Sequence, residues 1–328
     1  MDKINSRGIF VEKILKAIPD HIKSVDFLVD LLGISKVSAY RRLNCQLPFT
    51  YDEVVEISSE LDISIEDIVH ADSSDKVIFI YPKKDEFSIQ NFFLNILEHF
   101  YENLLAENKS GTRKAIFAMN NLWLVYTVGS DNLFKFFYYK YLIQSSKNPL
   151  KICLEDIIIP TEIIEKKNKV LAQLKDINNT IFILDKLIYF NTIKDIQYYY
   201  RRKLINNREL HLIASDLNEI IKHTELLALN GMHLGVTHSL FLSYLNVYSN
   251  SMYIECDEKC KTFFYQYSMQ PLLTLDKNLC SIHKRSLESL MKNSVLITAS
   301  NEATQMDFFQ HQKEYIRNLA EDKELYSL

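Results

Sequence analysis

The first seventy residues are organised as short apolar stripes at helical spacing, separated by polar residues that are suited to capping helices. Pro19 and Gly33 interrupt the pattern where a helix would have to end. The pattern predicts five helices, over residues 8–18, 25–32, 36–44, 51–61 and 65–69. The residues expected to cap the last four are Ser24, Ser35, Thr50 (in a capping box with Glu53) and Ser64.

Residues 27–41 contain two of these helices and a turn of three residues that begins with Gly33. Two helices joined by such a turn form a helix-turn-helix. Together with residues 47–50 and 61–68, this order resembles the Cro/lambda-repressor-like (XRE-type) DNA-binding domain over residues 8–70. The resemblance implies a five-helix domain that reads the major groove with the helix beginning at Lys36.

The resemblance also assigns roles to side chains around that helix. It places four of them over base edges, namely Lys36, Val37, Tyr40 and Arg41. It places four others near phosphates, namely Ser35, Arg42, Asn44 and Gln46. The sequence departs from the family at Cys45, where a Gly is usual, and at Arg42, where an apolar residue is usual, so that Leu43 is expected to take the core position.

The charge balance opposes strong non-specific binding to DNA. Residues 1–72 contain eight Lys and Arg against thirteen Asp and Glu, and the whole chain has a net charge of −4. Non-specific affinity for DNA comes mainly from basic side chains that neutralise phosphates. Three of the basic residues, Lys36, Arg41 and Arg42, nevertheless lie together on one short segment, so the positive charge is concentrated there. A protein-binding domain that has lost its DNA contacts therefore stays an alternative. Neutralisation of the exposed face by Glu12, Asp30 or Asp52 would favour it.

The remainder of the chain shows longer helical stripes. They predict helices over residues 88–107, 132–143, 155–174, 186–204, 209–229, 276–291 and 301–319. Residues 114–128 fit a helix or a strand equally well, residues 77–81 suggest one strand, and residues 251–255 and 262–267 predict a hairpin. The polar residues 70–75 mark a boundary.

The predicted fold class is therefore mainly α. It consists of a five-helix DNA-binding domain (residues 1–72) followed by a larger α-rich α+β domain with a few strands (residues 73–328). A candidate break into two subdomains lies at residues 231–240, where a helix is expected to end at Gly231.

Little chemistry is expected in residues 73–328. Cys256 and Cys260 could form a redox pair, but no second close ligand pair supports zinc. His233 and His238 lack the spacing of a helical metal site. Residues 198–203, Tyr-Tyr-Tyr-Arg-Arg-Lys, resemble a basic-aromatic surface for nucleic acid, but on a helix they point all round, which favours a mixture of core tyrosines and solvated basic side chains. No phosphate-binding glycine motif or nucleophile motif occurs, so neither an enzyme nor a cofactor is expected.

The remaining composition predicts a cytoplasmic protein. Five cysteines are an odd number for a disulfide framework, the N-terminus lacks the features of a secretory signal, and no apolar stretch is long enough for a membrane span. We expect a bacterial-type transcriptional regulator that binds double-stranded DNA as a homodimer, with residues 73–328 serving oligomerisation or effector sensing. The alternative function is a protein-interaction or scaffold protein.

Overall fold

The computed structural model describes residues 6–19, 21–61, 63–65, 68, 77–80, 93–98, 101, 113–145, 152–173, 179–233, 236–256, 259–266 and 270–323. The chain divides into an N-terminal unit, Met1–Lys76, and a C-terminal unit, Val77–Leu328. The sequence predicts a boundary after residue 72. Within the described parts of both units, no helix has the length and apolar character needed to cross a bilayer.

The described part of the N-terminal unit contains four helices, α1 (Ser6–Ala17), α2 (Ser24–Leu32), α3 (Lys36–Leu43) and α4 (Tyr51–Glu60). They pack around one apolar cluster whose most buried members include Phe10, Ile14, Leu28, Ala39 and Ile57. Of the predicted fifth helix, only residues 65 and 68 lie within the described residues. The described residues therefore establish four helices and not the five-helix domain, because the predicted fifth helix lies mostly outside them.

Capping residues set the ends of these helices. Ser35 caps α3, because its Oγ accepts a hydrogen bond from Ser38 N at 3.2 Å. Thr50 and Glu53 form the predicted capping box of α4. The prediction for Ser24 is wrong: Ser24 is the first residue of α2, and Lys23 stands at the cap position without a side-chain hydrogen bond.

The described part of the C-terminal unit is built on a mixed sheet of eight strands. These are β1 (Arg113–Met119), β2 (Asn179–Asp185), β3 (Met232–His233), β4 (Val236–Ser243), β5 (Ser251–Cys256), β6 (Lys259–Gln266), β7 (Gln270–Thr274) and β8 (Val295–Leu296). Their order is β3-β4-β2-β1-β5-β6-β7, and β8 also pairs with β4. The three central strands β4, β2 and β1 are parallel, whereas β5, β6 and β7 continue the sheet from β1 as an antiparallel meander.

Helices accompany this sheet in chain order. They are α5 (Leu124–Thr127), α6 (Asp131–Ser145), α7 (Thr161–Gln173), α8 (Ile188–Arg201), α9 (Asn207–Asn230), α10 (Lys277–Lys292) and α11 (Glu302–Ala320), with a 3-10 turn at Leu154–Asp156.

Alternate residues of β1 belong to two different cores. Phe117 and Met119 pack in the large cluster with α6, α8, α9 and α11, whereas Ile116 and Ala118 pack under α10. The sheet is thus covered on both faces.

The prediction of a mainly α fold is wrong, because this sheet organises the C-terminal unit as an α+β structure. The strands β1 and β2 are apolar runs buried on both faces, so they lack the alternation that identifies a half-exposed strand. The chain on both sides of residues 231–240 contributes to this one sheet, since β4 pairs with β2 and β5 pairs with β1. The candidate break between two subdomains is therefore absent from the described residues.

Candidate nucleic-acid interface

In the N-terminal unit, α2 and α3 are separated by three residues and have the spacing of a helix-turn-helix. Gly33 ends α2 in the left-handed conformation, with φ 64°, and its N–H donates to Val29 O at 3.0 Å. This conformation is strained for residues with a Cβ, which explains a glycine at this turn. Ser35 then starts α3 at once through its cap.

One face of α3 is buried and the other is open to solvent. Ala39 is fully buried and Leu43 packs partly on the same core, as the sequence predicts. On the opposite side Val37 is 70% exposed and Tyr40 is 60% exposed, and Lys36 and Arg41 are exposed beside them. The structure therefore brings together on one accessible surface the four side chains that the sequence assigns to base edges. Val37 and Tyr40 are large hydrophobic side chains that are exposed and take no part in the core.

Lys36 forms an ion pair with Asp26 of α2, with 2.7 Å between Nζ and Oδ1. The hydrogen bond and the charge of Asp26 raise the pKa of Lys36, and the same contact lowers the pKa of Asp26. Asp30 adds a smaller effect of the same sign on Lys36. A carboxylate thus partly neutralises this end of the surface, whereas Arg41 has no ion pair with any described residue. Asp26 was not among the acids that the sequence singled out.

Arg42 lies under this surface. Its guanidinium donates to both carboxylate oxygens of Glu53 in α4, at 3.1 and 2.7 Å, and a third bond goes to Ser38 Oγ. The side chains of Arg42 and Glu53 are only 9% and 15% exposed. Burial raises the pKa of Glu53, but the bonds from Arg42 and from Thr50 outweigh it, so that the pKa is lowered overall. We therefore withdraw Arg42 from the residues expected to contact phosphate, because its donors are already engaged.

The remaining side chains expected near phosphates lie at the two ends of α3. Ser35 is exposed but uses its hydroxyl oxygen for the helix cap. Asn44 is exposed and donates its side-chain amide to Tyr40 O at 2.9 Å, and Gln46 is exposed. The backbone N–H of Gln46 also donates to Arg41 O at 2.8 Å. Three of the four expected phosphate contacts thus remain on accessible surface.

Cys45 lies two residues after the end of α3 and has the left-handed conformation, with φ 58°. Its N–H donates to Arg42 O at 3.0 Å, and together with the bond from Gln46 to Arg41 this is a Schellman motif. The family usually has Gly here, and this chain adopts the glycine conformation with a cysteine. The departure from the family pattern is therefore in the side chain, while the backbone takes the path that a glycine favours.

In the C-terminal unit, an α/β sheet would normally bind ligands at the carboxyl ends of its parallel strands. A crossing loop, residues 244–250, occupies this edge between β4 and β5. Asp185 at the end of β2 is buried, and its two carboxylate oxygens accept hydrogen bonds from Leu187 N at 2.8 Å and Val247 N at 3.0 Å. This acid, which a catalytic interpretation would single out, holds the loop instead.

Asparagines hold the other end of the crossing loop. Asn250 Oδ1 accepts from Asn120 N at 2.9 Å, and Asn250 Nδ2 donates to Asn121 Oδ1 at 2.7 Å. Asn120 Nδ2 donates to Tyr248 O at 3.1 Å. The polar side chains at the ends of β1 and β2 are thus engaged in closing the edge, and we assign no chemistry to them.

The cysteine and histidine pairs of the C-terminal unit are separated by the strand register. Cys256 lies opposite Lys259, whereas Cys260 lies opposite Glu255, so the two cysteines fall on opposite faces of the β5–β6 hairpin. They cannot form the redox pair that the sequence left open. His233 lies on β3 and His238 on β4. Within the described residues, no three His, Cys, Asp or Glu side chains are grouped to hold a metal ion.

Comparison of the chain with models of protein families, with curated proteins and with solved structures finds no match.

Proposed function

We propose that this protein is a sequence-specific DNA-binding transcriptional regulator that reads the major groove with α3. The observation that carries the proposal is the accessible surface formed by Val37, Tyr40 and Arg41 on a capped helix that follows a glycine turn. Arg41 is the side chain suited to a guanine, and Val37 to the methyl group of a thymine. A Cro/lambda-repressor-like helix-turn-helix resemblance supports the same role for this helix.

Electrostatics then decide what kind of binding to expect. Arg42 is engaged with Glu53, and Lys36 must exchange Asp26 for a phosphate or a base. Exposed ion pairs contribute little, so the exchange is feasible, but it adds little affinity. With few phosphates neutralised, binding should depend weakly on salt, and non-specific affinity should be low. Two copies of α3, about 34 Å apart on one face of the duplex, would then be needed for adequate affinity.

A selection of random duplexes with the full chain, at low and at moderate salt, tests the proposal. We expect a short enriched sequence, arranged as two half-sites one helical turn apart. Arg41→Ala should relax the preference at one position of each half-site, by about 1 to 3 kcal/mol. Arg7→Ala, which removes an exposed arginine from α1 of the same unit, is the matched control and should leave the preference unchanged.

Asp26→Asn gives a second test with the opposite sign. The substitution frees Lys36 and removes a negative charge from beside the surface, so duplexes of any sequence should bind more tightly. Asp307→Asn in α11 removes one exposed carboxylate elsewhere and controls for net charge. If no duplex is enriched at low salt, and Asp26→Asn has no more effect than its control, the proposal is refuted.

A protein-binding N-terminal unit is the second candidate, and a groove between α2 and α4 favours it. The groove has a volume of about 550 Å³ and exposes Tyr51 and Val55 beside Leu31. Its acidic residues are Asp52, Glu56 and Glu60. A basic helix with an apolar face would complement it. Under this alternative, Val55→Glu should abolish capture of a partner, whereas under the DNA proposal it should leave the selected sequence unchanged.

A further inference from the structure

In the C-terminal unit, an open cleft of about 800 Å³ lies where α8 ends, α9 begins and α11 ends. Its lining is unusually basic. It contains three exposed cations, Arg201, Lys203 and Arg208, and one acid, Asp322. The remaining lining residues are Tyr200, Ile205, Asn206 and Asn207.

The backbone holds these cations on a fixed frame. After α8 the chain turns through Lys203, whose N–H donates to Tyr200 O at 2.8 Å, and through Leu204, whose N–H donates to Tyr199 O at 3.1 Å. Leu204 and Ile205 are buried and anchor the turn in the core. Tyr200 Oη donates to Asn207 Oδ1 at 2.7 Å and ties the end of α8 to the start of α9. The backbone positions from which the three cationic side chains extend are therefore set before any ligand arrives.

Ion pairs with neighbouring carboxylates neutralise only a small part of the positive charge in the cleft. Arg201 Nε is 4.0 Å from Asp322 Oδ1, which is a loose contact between half-exposed groups. The side chains of Lys203 and Arg208 form no ion pair or hydrogen bond with the described residues. The lining residues, three cations and one acid, carry a net charge of about +2, and Glu155 and Glu209, which accept hydrogen bonds from Asn206, are not part of the lining. An anion with at least two negative charges would match it.

Helix stability explains only part of this arrangement. Arg201 is in the last turn of α8, where a cation is favourable to the helix dipole. Arg208 is in the first turn of α9, where a cation is unfavourable for the same reason. A residue that opposes its own helix and has no described partner is better explained by a ligand outside the helix.

We propose that this cleft binds a compact phosphorylated small molecule, with Arg201, Lys203 and Arg208 contacting its phosphate oxygens. The volume lies within the range of small-molecule sites, and guanidinium groups suit phosphate geometry. A single nucleic-acid strand fits less well, because it needs exposed aromatic rings for its bases. Tyr199 is only 7% exposed. Tyr198 is 49% exposed, but it does not line the cleft, and the guanidinium carbon of Arg202 lies 4.0 Å from the centre of its ring. The site belongs to the C-terminal unit, and its existence does not depend on DNA binding by α3.

Isothermal titration of the full chain at low salt, with adenosine triphosphate, inorganic pyrophosphate and adenosine, tests this site. We expect the two polyphosphates to bind saturably and adenosine not to bind. Arg208→Gln should weaken polyphosphate binding at least tenfold. Arg285→Gln, which removes an exposed arginine from α10, is the matched control and should have no effect.

Lys203→Gly tests whether lost binding could result from misfolding. Lys203 has φ 59°, a conformation that glycine adopts without strain, so this variant should be folded while it lacks one cation. It should bind polyphosphate more weakly with an unchanged or higher melting temperature. The proposal is overturned if neither polyphosphate binds, if the control weakens binding as much as Arg208→Gln, or if only single-stranded DNA binds and Arg208→Gln abolishes that binding.

Discussion

Arg42 on α3 and Glu53 on α4 form a buried, two-pronged ion pair directly beneath the exposed surface of α3. Glu53 also accepts a hydrogen bond from Thr50 N at 2.8 Å, so one carboxylate closes the capping box of α4 and fixes the end of α3. A basic residue on a helix proposed to read DNA thus has a structural role. Its guanidinium donates to Glu53 and to Ser38, so it fixes α3 against α4.

Replacing one partner of this ion pair should destabilise the N-terminal unit. Arg42→Ala leaves the Glu53 carboxylate buried without its partner, which costs about 3 kcal/mol in comparable cases. Arg41→Ala removes an exposed arginine from the next position and should change the stability by less than about 0.5 kcal/mol. Hydrogen exchange of the α3 and α4 amides measures both effects within the full chain. Equal effects of the two variants would contradict the assignment of Arg42 to the interior.

Replacing Cys45 with glycine should stabilise the same unit. A left-handed residue with a side chain costs about 1 to 2 kcal/mol relative to a relaxed conformation, and glycine avoids most of this cost. Glycine has greater conformational freedom in the unfolded chain, which offsets part of this stabilisation. We therefore expect the free energy of unfolding to rise by roughly 0.5 to 1 kcal/mol. Cys45→Ala keeps the strain and serves as the control. If Cys45→Gly lowers stability relative to Cys45→Ala, the strain argument fails.

His283 should make the C-terminal unit sensitive to acid. Burial lowers the pKa of His283 from 6.5 to about 4, so the folded state keeps this side chain neutral where the unfolded state binds a proton. Its contribution to stability is complete above pH 6.5 and is lost as the pH falls towards 4. His283→Leu should flatten the decline of stability in this range by roughly 2 to 3 kcal/mol.

Chemical denaturation at several pH values, monitored for the C-terminal unit, provides the measurement for His283. His211→Gln is the matched control, because His211 is exposed on α9 and its replacement should leave the slope as it is. A slope in His283→Leu equal to that of the unmodified chain would show that this histidine does not cause the acid sensitivity.

Asp185→Asn should loosen the crossing loop. The amide group has one acceptor oxygen where the carboxylate has two, so the N–H of either Leu187 or Val247 loses its partner at a buried site. An unsatisfied buried group of this kind costs about 1 to 3 kcal/mol. We expect faster proteolysis within residues 244–250 and faster exchange of the Val247 amide. Asp307→Asn, at an exposed position, should show neither change.

The sequence predicts local structure well and long-range structure poorly. Ser35, Thr50 and Glu53 sit at the caps expected of them, because a cap depends on residues three positions apart. The antiparallel hairpin β5–β6 is also present where its alternation predicts it. The sequence left β1 open between helix and strand and did not predict β2, since these parallel strands pair more than sixty residues apart and their pattern carries no alternation.

The candidate surface was predictable to a similar extent. Helical spacing alone separates the exposed Val37, Tyr40 and Arg41 from the buried Ala39. The partners of Lys36 and Arg42 were not predictable in this way, because Asp26 and Glu53 belong to the helices on either side. Glu53 was recognised only as a capping residue, although a capping carboxylate retains a charge that a nearby arginine can use.

The pairing of β1 with β5 has a consequence for the order of assembly during synthesis. Ala118 pairs with Ser251, about 130 residues later, so the centre of the sheet cannot close until most of the chain has left the ribosome. The N-terminal unit is held by contacts between helices that adjoin in sequence, and it can fold while the rest is still being made. Nascent chains should therefore carry a finished α3 surface before the C-terminal unit is complete.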